Sequence, residues 1–267
     1  MSQTYVVIEP GSTHSRNHNQ MRDHIANAAA VGADAIKFQW VSDAKKLAER
    51  RHAAQYEAAY KLIEFPKTWL HELAMMAADA KLDFLCTTYL QEDIEVVAPL
   101  VQSFKIASFE ATDDAFIWAH ERWGSIPVII STGMLDIDQA LNQMGKVGNL
   151  GGVLHCVSCY PTPPEQVHLD SIYQLRRICA PIPVGLSDHT ARVTTGGLAV
   201  AAGAQIVEVH ARLDDTPETN ADYASALTYK QLIEYVAFVR LVEVMAGHGR
   251  KRVQECEMPM LQFQIRP

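Results

Sequence analysis

Eight short apolar runs, each followed by a polar loop and a helical stretch, constrain this chain more tightly than any single motif in it. The runs are YVVIE at 5–9, ADAIKFQ at 33–39, LDFLCT at 82–87, SFKIAS at 103–108, IPVIIST at 126–132, GGVLHCV at 151–157, IPVGLS at 182–187 and AQIVEVH at 204–210. Their apolar character is nearly continuous, as expected of parallel strands covered on both faces. Helices are expected near 20–31, 66–80, 91–99, 112–122, 136–145, 168–179, 192–202 and 228–246. Pro66 suits the first turn of its helix, and ADA, SIP, PIP and GAQ read as tight turns entering strands. Residues 42–65 form a long excursion after the second strand.

Eight strands separated by helices predict an α/β chain closed as a TIM (β/α)8 barrel. A length of 267 residues, 48% of them hydrophobic, is enough for one core of that size. An open doubly wound sheet is the alternative, but no GxGxxG follows the first strand and no GxxxxGK[ST] occurs. The expected organisation is a catalytic barrel over 1–247 and a tail over 248–267 that covers the barrel or a partner.

The formal net charge of -8 argues against a generic nucleic-acid or anionic-membrane surface, so an anionic substrate must be caught by local groups. The N-terminus has no basic-then-apolar signal pattern, and no apolar run approaches the roughly 20 residues of a membrane span. A soluble cytoplasmic protein is expected. Five cysteines, an odd number without a framework, read as reduced thiols. The CVSC at 156–159 has no second pair, and Cys156 reads as a small core residue.

In a barrel, functional groups gather where strands end. Glu9, Lys37, Thr87, Lys105, Ser108 and Ser131 fall there, as do Ser158, Ser187, His189, Glu208 and His210. A barrel rim needs hydrogen bonders whatever its function, which covers several of the hydroxyls. It covers the lysines less well, because a buried cation is costly unless paired. His189 and His210 read either as ligands of a divalent metal or as structural hydrogen bonders. Asp188 is placed to orient an imidazole, and Glu208 shares a strand face with His210. Two imidazoles with waters and a substrate oxygen suit Mn²⁺. Such a site near two lysines points to a phosphate ester or a carboxylate.

Taken in order, KFQ (37–39), FKIAS (104–108), VIISTGM (128–134), LHCVSCYPTPP (154–164), VGLSDHT (184–190) and VEVHARLD (207–214) resemble the sialic acid synthase family, which includes legionaminate and pseudaminate synthases. The resemblance implies condensation of phosphoenolpyruvate with an amino-sugar aldehyde, giving a 3-deoxy-2-keto sugar acid and phosphate. It implies that Lys37, Thr87, Lys105, Ser108, Ser131 and Ser187 hold phosphoenolpyruvate. Glu9 and Glu208 would position sugar or water and move protons. His189 and His210 would complete the catalytic set as metal ligands, for Mn²⁺ first and Mg²⁺, Co²⁺ or Zn²⁺ otherwise. Tyr160 and Asp222 would contact the acceptor, and a barrel homodimer is expected.

The chain departs from the family pattern in its rim. An NHNG-like segment is THSR at 13–16, so Thr13 stands for the Asn and Arg16 for the Gly; SNYPTP is SCYPTP, so Cys159 stands for an amide. Val209 replaces the lysine of EKH, ARLD replaces FTLD, Thr88 replaces a proline, and the GPDH loop is ETNADY with Asp222 kept beside Tyr223. The family's small C-terminal domain, which brings an arginine to the acceptor from a partner, is expected to be missing. Residues 42–65 or the tail would then close the pocket, with Arg50, Arg51 and Arg250 as available cations. Two other readings stay open: a divalent-metal lyase or aldolase that does not use phosphoenolpyruvate, with Lys37 or Lys105 as Schiff-base former, and a non-catalytic sugar-binding barrel. Phosphate release separates the first from the synthase.

Overall fold

The computed structural model describes residues 3–247, 249 and 251–265; Arg250 lies outside the described residues. Eight parallel strands close on themselves: β1 (Tyr5–Glu9), β2 (Ala35–Gln39), β3 (Asp83–Thr87), β4 (Ser103–Ile106), β5 (Val128–Ser131), β6 (Leu150–Cys156), β7 (Val184–Asp188) and β8 (Ile206–Arg212). Closure is made by β1 against β8, in register from Tyr5↔Ile206 to Glu9↔His210. A two-residue strand, β9 (Leu227–Thr228), adds to the end of β8. The helices are α1 (His18–Ala30), α2 (Ala44–Arg50), α3 (Glu57–Tyr60), α4 (Lys67–Asp79), α5 (Gln91–Val97), α6 (Asp114–Ala119), α7 (Ile137–Met144), α8 (Asp170–Cys179), α9 (Thr195–Ala201) and α10 (Tyr229–Ala246). The fold is the expected (β/α)8 barrel.

Helix starts follow local chemistry. The Asn17 side chain accepts from the amides of Asn19 and Gln20, and Asp113 accepts from that of Phe116. Asp136 with Gln139, and Thr228 with Gln231, form reciprocal capping boxes.

Strand alternation divides the apolar residues into two sets. Val6, Ile8, Ile36, Phe38, Phe84 and Phe104 point outward and pack beneath the helices. Val7, Ala35, Leu85, Ile129, Leu154 and Ile206 point inward and plug the barrel. Gly152 leaves room for this plug, since a Cβ there would lie 2.8 Å from Ile206 Cδ1.

The excursion after β2 folds as a cap with its own small core. Val41, Ala44, Leu47 and Ile63 pack on Tyr89 and Leu90, past the end of β3. Polar contacts tie it down: Asp93 accepts from the Ser42 amide at 3.1 Å and Glu64 from the Ala44 amide at 2.8 Å. The tail holds an unexpected 3-10 stretch, Glu255–Phe263, and its described residues are exposed except for half-buried Leu261. No helix among the described residues is long and apolar enough to cross a membrane. All five cysteines are free thiols.

Candidate active site

One side-chain step above the apolar plug, the barrel interior turns polar. Val7 is followed on its face by Glu9, Ala35 by Lys37 and then Gln39, Leu85 by Thr87, and Ile129 by Ser131. Leu154 is followed by Cys156, and Ile206 by Glu208 and His210. Lys105 enters from β4, and Ser187 and His189 from the end of β7. These residues form the floor of a cavity of about 250 Å³. The residues that the family resemblance assigns to catalysis, anion binding, acceptor binding and metal binding all border this one cavity, including Ser108, Tyr160 and Asp222 beyond the strand ends; Ser158 and Arg50 do not line it.

The floor is a charge-balanced network. Lys37 Nζ lies 2.7 Å from Glu9 Oε1 and 3.6 Å from Glu208 Oε2, and donates to Thr87 Oγ1 at 3.0 Å. Lys105 Nζ donates to Ser131 Oγ at 2.8 Å and to the Ile106 carbonyl at 3.2 Å, and lies 3.8 Å from Glu208 Oε1. Each ammonium thus finds three oxygen neighbours, which offset its removal from water for Lys37 and only in part for Lys105. Ser187 Oγ donates to Glu208 Oε1 at 2.9 Å, and Gln39 Nε2 to Glu9 Oε1 at 2.7 Å. Burial alone would raise the Glu9 pKa, but Lys37, His210 and the Lys37 and Gln39 hydrogen bonds hold it well below the usual carboxylate range. Burial opposes the charge of Lys37, yet Glu208 and Glu9 raise its pKa. Burial lowers the Lys105 pKa, with Glu208 only partly offsetting it.

The two imidazoles are neighbours, with ring centroids 5.4 Å apart, and the Tyr160 ring lies 4.3 Å from that of His189. His189 Nδ1 bonds the Val157 carbonyl at 2.8 Å and so carries the proton, leaving the Nε2 lone pair toward the cavity. Burial, and then the adjacent His210, push its pKa to about 3. Asp188 does not orient this ring, contrary to the sequence reading. Following the alternation of β7 it points out of the barrel, accepting from the Thr190 amide at 2.8 Å and the Tyr235 hydroxyl at 3.3 Å. His210 Nε2 lies 3.4 Å from Glu9 Oε2, while its buried Nδ1 has no partner. The His189 Nε2 lone pair, 3.4 Å from a Ser187 hydroxyl that donates to Glu208, and the unpartnered His210 Nδ1 suit the chemistry of a divalent ion held by two imidazoles. Among the described residues, no group of three or more His, Cys, Asp or Glu is placed to hold a metal. Any such site must therefore complete its shell with water or substrate.

Asp222 is held from the first βα loop. Its Oδ2 accepts from the Ser12 amide at 2.7 Å and the Ser12 hydroxyl at 2.6 Å, and Asn220 Nδ2 donates to the Ser12 carbonyl at 2.9 Å. Gly11 makes this approach possible: its φ is +57°, and a Cβ there would sit 2.6 Å from Asp222 Oδ2 and 3.0 Å from His210 Nδ1. Ser108 Oγ pairs with Ser158 Oγ at 2.8 Å. Cys156 is buried as expected, but it borders the cavity; Cys159 is exposed and does not line it. Sequence reasoning missed Gln39, Tyr89 and Phe109 as lining residues. Gln39 was findable, two residues beyond Lys37 on the same face; the aromatic pair lies past strand ends, where alternation gives no guide.

The NeuB family model matches residues 24–251. An uncharacterised protein of Methanocaldococcus jannaschii is 33% identical over 93% of this chain and 73% of its own length. The human N-acetylneuraminate-9-phosphate synthase is 29% identical over 95% of this chain and 74% of its own. Among solved structures, an N-acetylneuraminic acid (sialic acid) synthetase from Leptospira borgpetersenii serovar Hardjo-bovis, in complex with citrate, superposes with a TM-score of 0.89 at 26% identity. That match covers 98% of this chain and 91% of the other.

Proposed function

The chain belongs to the NeuB family, and from that premise we propose that it condenses phosphoenolpyruvate with an amino-sugar aldehyde to give a 3-deoxy-2-keto sugar acid and inorganic phosphate. One observation carries this reading: two buried, hydroxyl-paired ammonium groups share a floor with two carboxylates and two adjacent imidazoles.

Lys105 with Ser131 and Ser108, and Lys37 with Thr87 and Ser187, hold the phosphate and carboxylate of phosphoenolpyruvate. An incoming anion restores to Lys105 the compensation its single distant carboxylate leaves incomplete. C3 of the enol attacks the aldehyde carbon, and the carbonyl oxygen takes the displaced pair and then a proton. Water adds at C2 and passes one proton, through Glu208, to the new alkoxide; the C2–O bond to phosphorus then breaks as phosphate leaves with its electron pair, and the C2 hydroxyl gives its remaining proton to the departing phosphate and becomes the keto oxygen. Glu9, held ionised by Lys37, is a weak base and supplies no proton at neutral pH, so its charge balances Lys37 and orients water or the acceptor. Tyr160 and Asp222 seat the acceptor above the floor. His189 and His210 would hold a divalent ion, Mn²⁺ first and Mg²⁺, Co²⁺ or Zn²⁺ otherwise, whose Lewis acidity polarises the aldehyde carbonyl. A barrel homodimer in the cytoplasm belongs to the same reading.

Calorimetric titration of phosphoenolpyruvate into metal-free and Mn²⁺-loaded protein, with pyruvate as control, tests the anion site. Phosphate release on adding N-acylated amino-sugar aldehydes tests the reaction. Equal binding of pyruvate, or a borohydride-trapped lysine adduct without phosphate release, would replace this reading with a lyase.

A further inference from the structure

Above the charged floor, the cavity is bordered by a guanidinium from the cap. Arg51, at the end of α2, lines the cavity together with Tyr89 and half-exposed Phe109. Its Cζ lies 5.4 Å from the ring centroid of Tyr60, 4.9 Å from that of Tyr89 and 5.0 Å from that of Phe109. Three rings hold the group in one place, so little side-chain freedom is left to lose when a ligand arrives. Nε donates to Glu110 Oε1 at 3.0 Å and Nη2 donates to the same oxygen, whereas Nη1 has only the Tyr60 hydroxyl at 3.4 Å. One arm of the fork is therefore nearly unspent. The adjacent Arg50 is committed elsewhere, donating to the Tyr89 carbonyl and to Asp113 Oδ2 at 2.6 Å.

The charge around this arm is already balanced. Two arginines face two carboxylates: Arg51 is paired with Glu110, which is 2% exposed, and Arg50 with Asp113. A phosphate dianion placed here would meet a neutralised guanidinium with a buried carboxylate directly behind it. A hydroxyl or an amide carbonyl needs only one of the N–H groups that the pairing with Glu110 and Tyr60 leaves free. Phe109 supplies an apolar surface beside that donor, as the carbon face of a sugar requires.

We infer that Arg51 is a specificity-determining residue that donates to an uncharged oxygen of the acceptor remote from its aldehyde, so that the enzyme takes a neutral acceptor and discriminates against one ending in phosphate. This rests on the condensation proposed above. It separates Arg51 from Arg50, which sequence could not do, and it sets the acceptor's charge class.

The test measures phosphate released from phosphoenolpyruvate with Mn²⁺ and a panel of mono- and di-N-acetylated hexosamines, each free and as its terminal phosphate ester. The wild-type comparison needs no variant: the free sugar should be used with kcat/KM about tenfold or more above its ester. Replacing the ion pair by R51M/E110Q leaves no buried orphan charge. It should raise KM for the free sugar about ten- to a hundredfold, the worth of a hydrogen bond to a charged group, with kcat and the phosphoenolpyruvate Kd nearly unchanged. The half-exposed F109A should raise the same KM by a smaller factor. Preference for the ester by the wild type would overturn the inference, as would an unchanged KM in a folded R51M/E110Q or a loss confined to phosphoenolpyruvate binding. Turnover with the wrong preference sinks only this inference; no phosphate release from any acceptor, or no phosphoenolpyruvate binding, sinks the condensation and this inference with it.

Discussion

Removing the Lys37 ammonium should destabilise the barrel and abolish anion binding by two separable routes. In Lys37→Met the Glu9 carboxylate, 2% exposed, loses a cation at 2.7 Å and keeps only the Gln39 hydrogen bond and the His210 contact. Glu208 loses its second cation and retains Lys105 at 3.8 Å. Breaking a buried ion pair from one side costs about 3–5 kcal/mol, and the surviving Gln39 contact places this case near 3. That corresponds to a fall in Tm of about 6–12 °C for a domain of this size. Adding Glu9→Gln removes the orphaned charge, so the double variant should return to within about 1 kcal/mol of the wild type. Binding should not return if Lys37 holds the anion as proposed, because its ammonium is still missing. Urea unfolding of the four proteins in the cycle, with phosphoenolpyruvate calorimetry on each, measures both quantities. Losses that add to within about 0.5 kcal/mol would show the pair to be uncoupled and would refute the charge-balanced floor.

Acid should destabilise the fold through histidines outside the site. Burial pushes His14 and His24 to about 3 and His120 to about 4, below an ordinary 6.5. Their stabilisation is therefore complete above pH 6.5 and is lost as pH falls, by up to about 1.4 kcal/mol per pH unit for each ring. Urea midpoints should drop from pH 7 to pH 5, and His120→Gln should reduce the slope, which His155 and His189 share with the other buried rings; a flat wild-type profile contradicts the burial argument. Gly11→Ala should cost about 1 kcal/mol or more from its positive φ, and far more in acceptor KM, because the new methyl meets Asp222 and His210; steady-state kinetics unchanged from wild type would show that the approach is not needed. His189→Ala or His210→Ala should each remove tight Mn²⁺ binding by calorimetry while far-ultraviolet circular dichroism stays the same, and unchanged affinity in both would exclude the two-imidazole site.

Most of the barrel, and the inward residues of its floor, could be read from the chain because both follow from strand phase. Lys37, Thr87, Ser131 and Glu208 lie two residues beyond apolar plug positions, and that relation is local. The same relation would have turned Asp188 outward, away from the imidazole it was expected to orient. What could not be read depends on chain that leaves the strands. Arg50 and Arg51 are adjacent in sequence, yet only one lines the cavity, because the turn after α2 and the rings of Tyr60 and Tyr89 decide which guanidinium swings inward. The proton on His189 is set by the Val157 carbonyl from the neighbouring unit, a partner invisible to spacing.

The alternation of plug and polar layer makes the barrel intolerant of a particular kind of genetic change. Deleting or inserting one residue within a strand reverses its phase and would carry an ammonium such as Lys37 into the oily shell beneath the helices while turning Phe38 into the cavity. Length variation can therefore accumulate only beyond the strand ends, in pieces such as the cap over residues 42–65. In a lineage built on this scaffold the reaction is inherited through reading phase, while the choice of acceptor is free to drift with the length and contents of the loops.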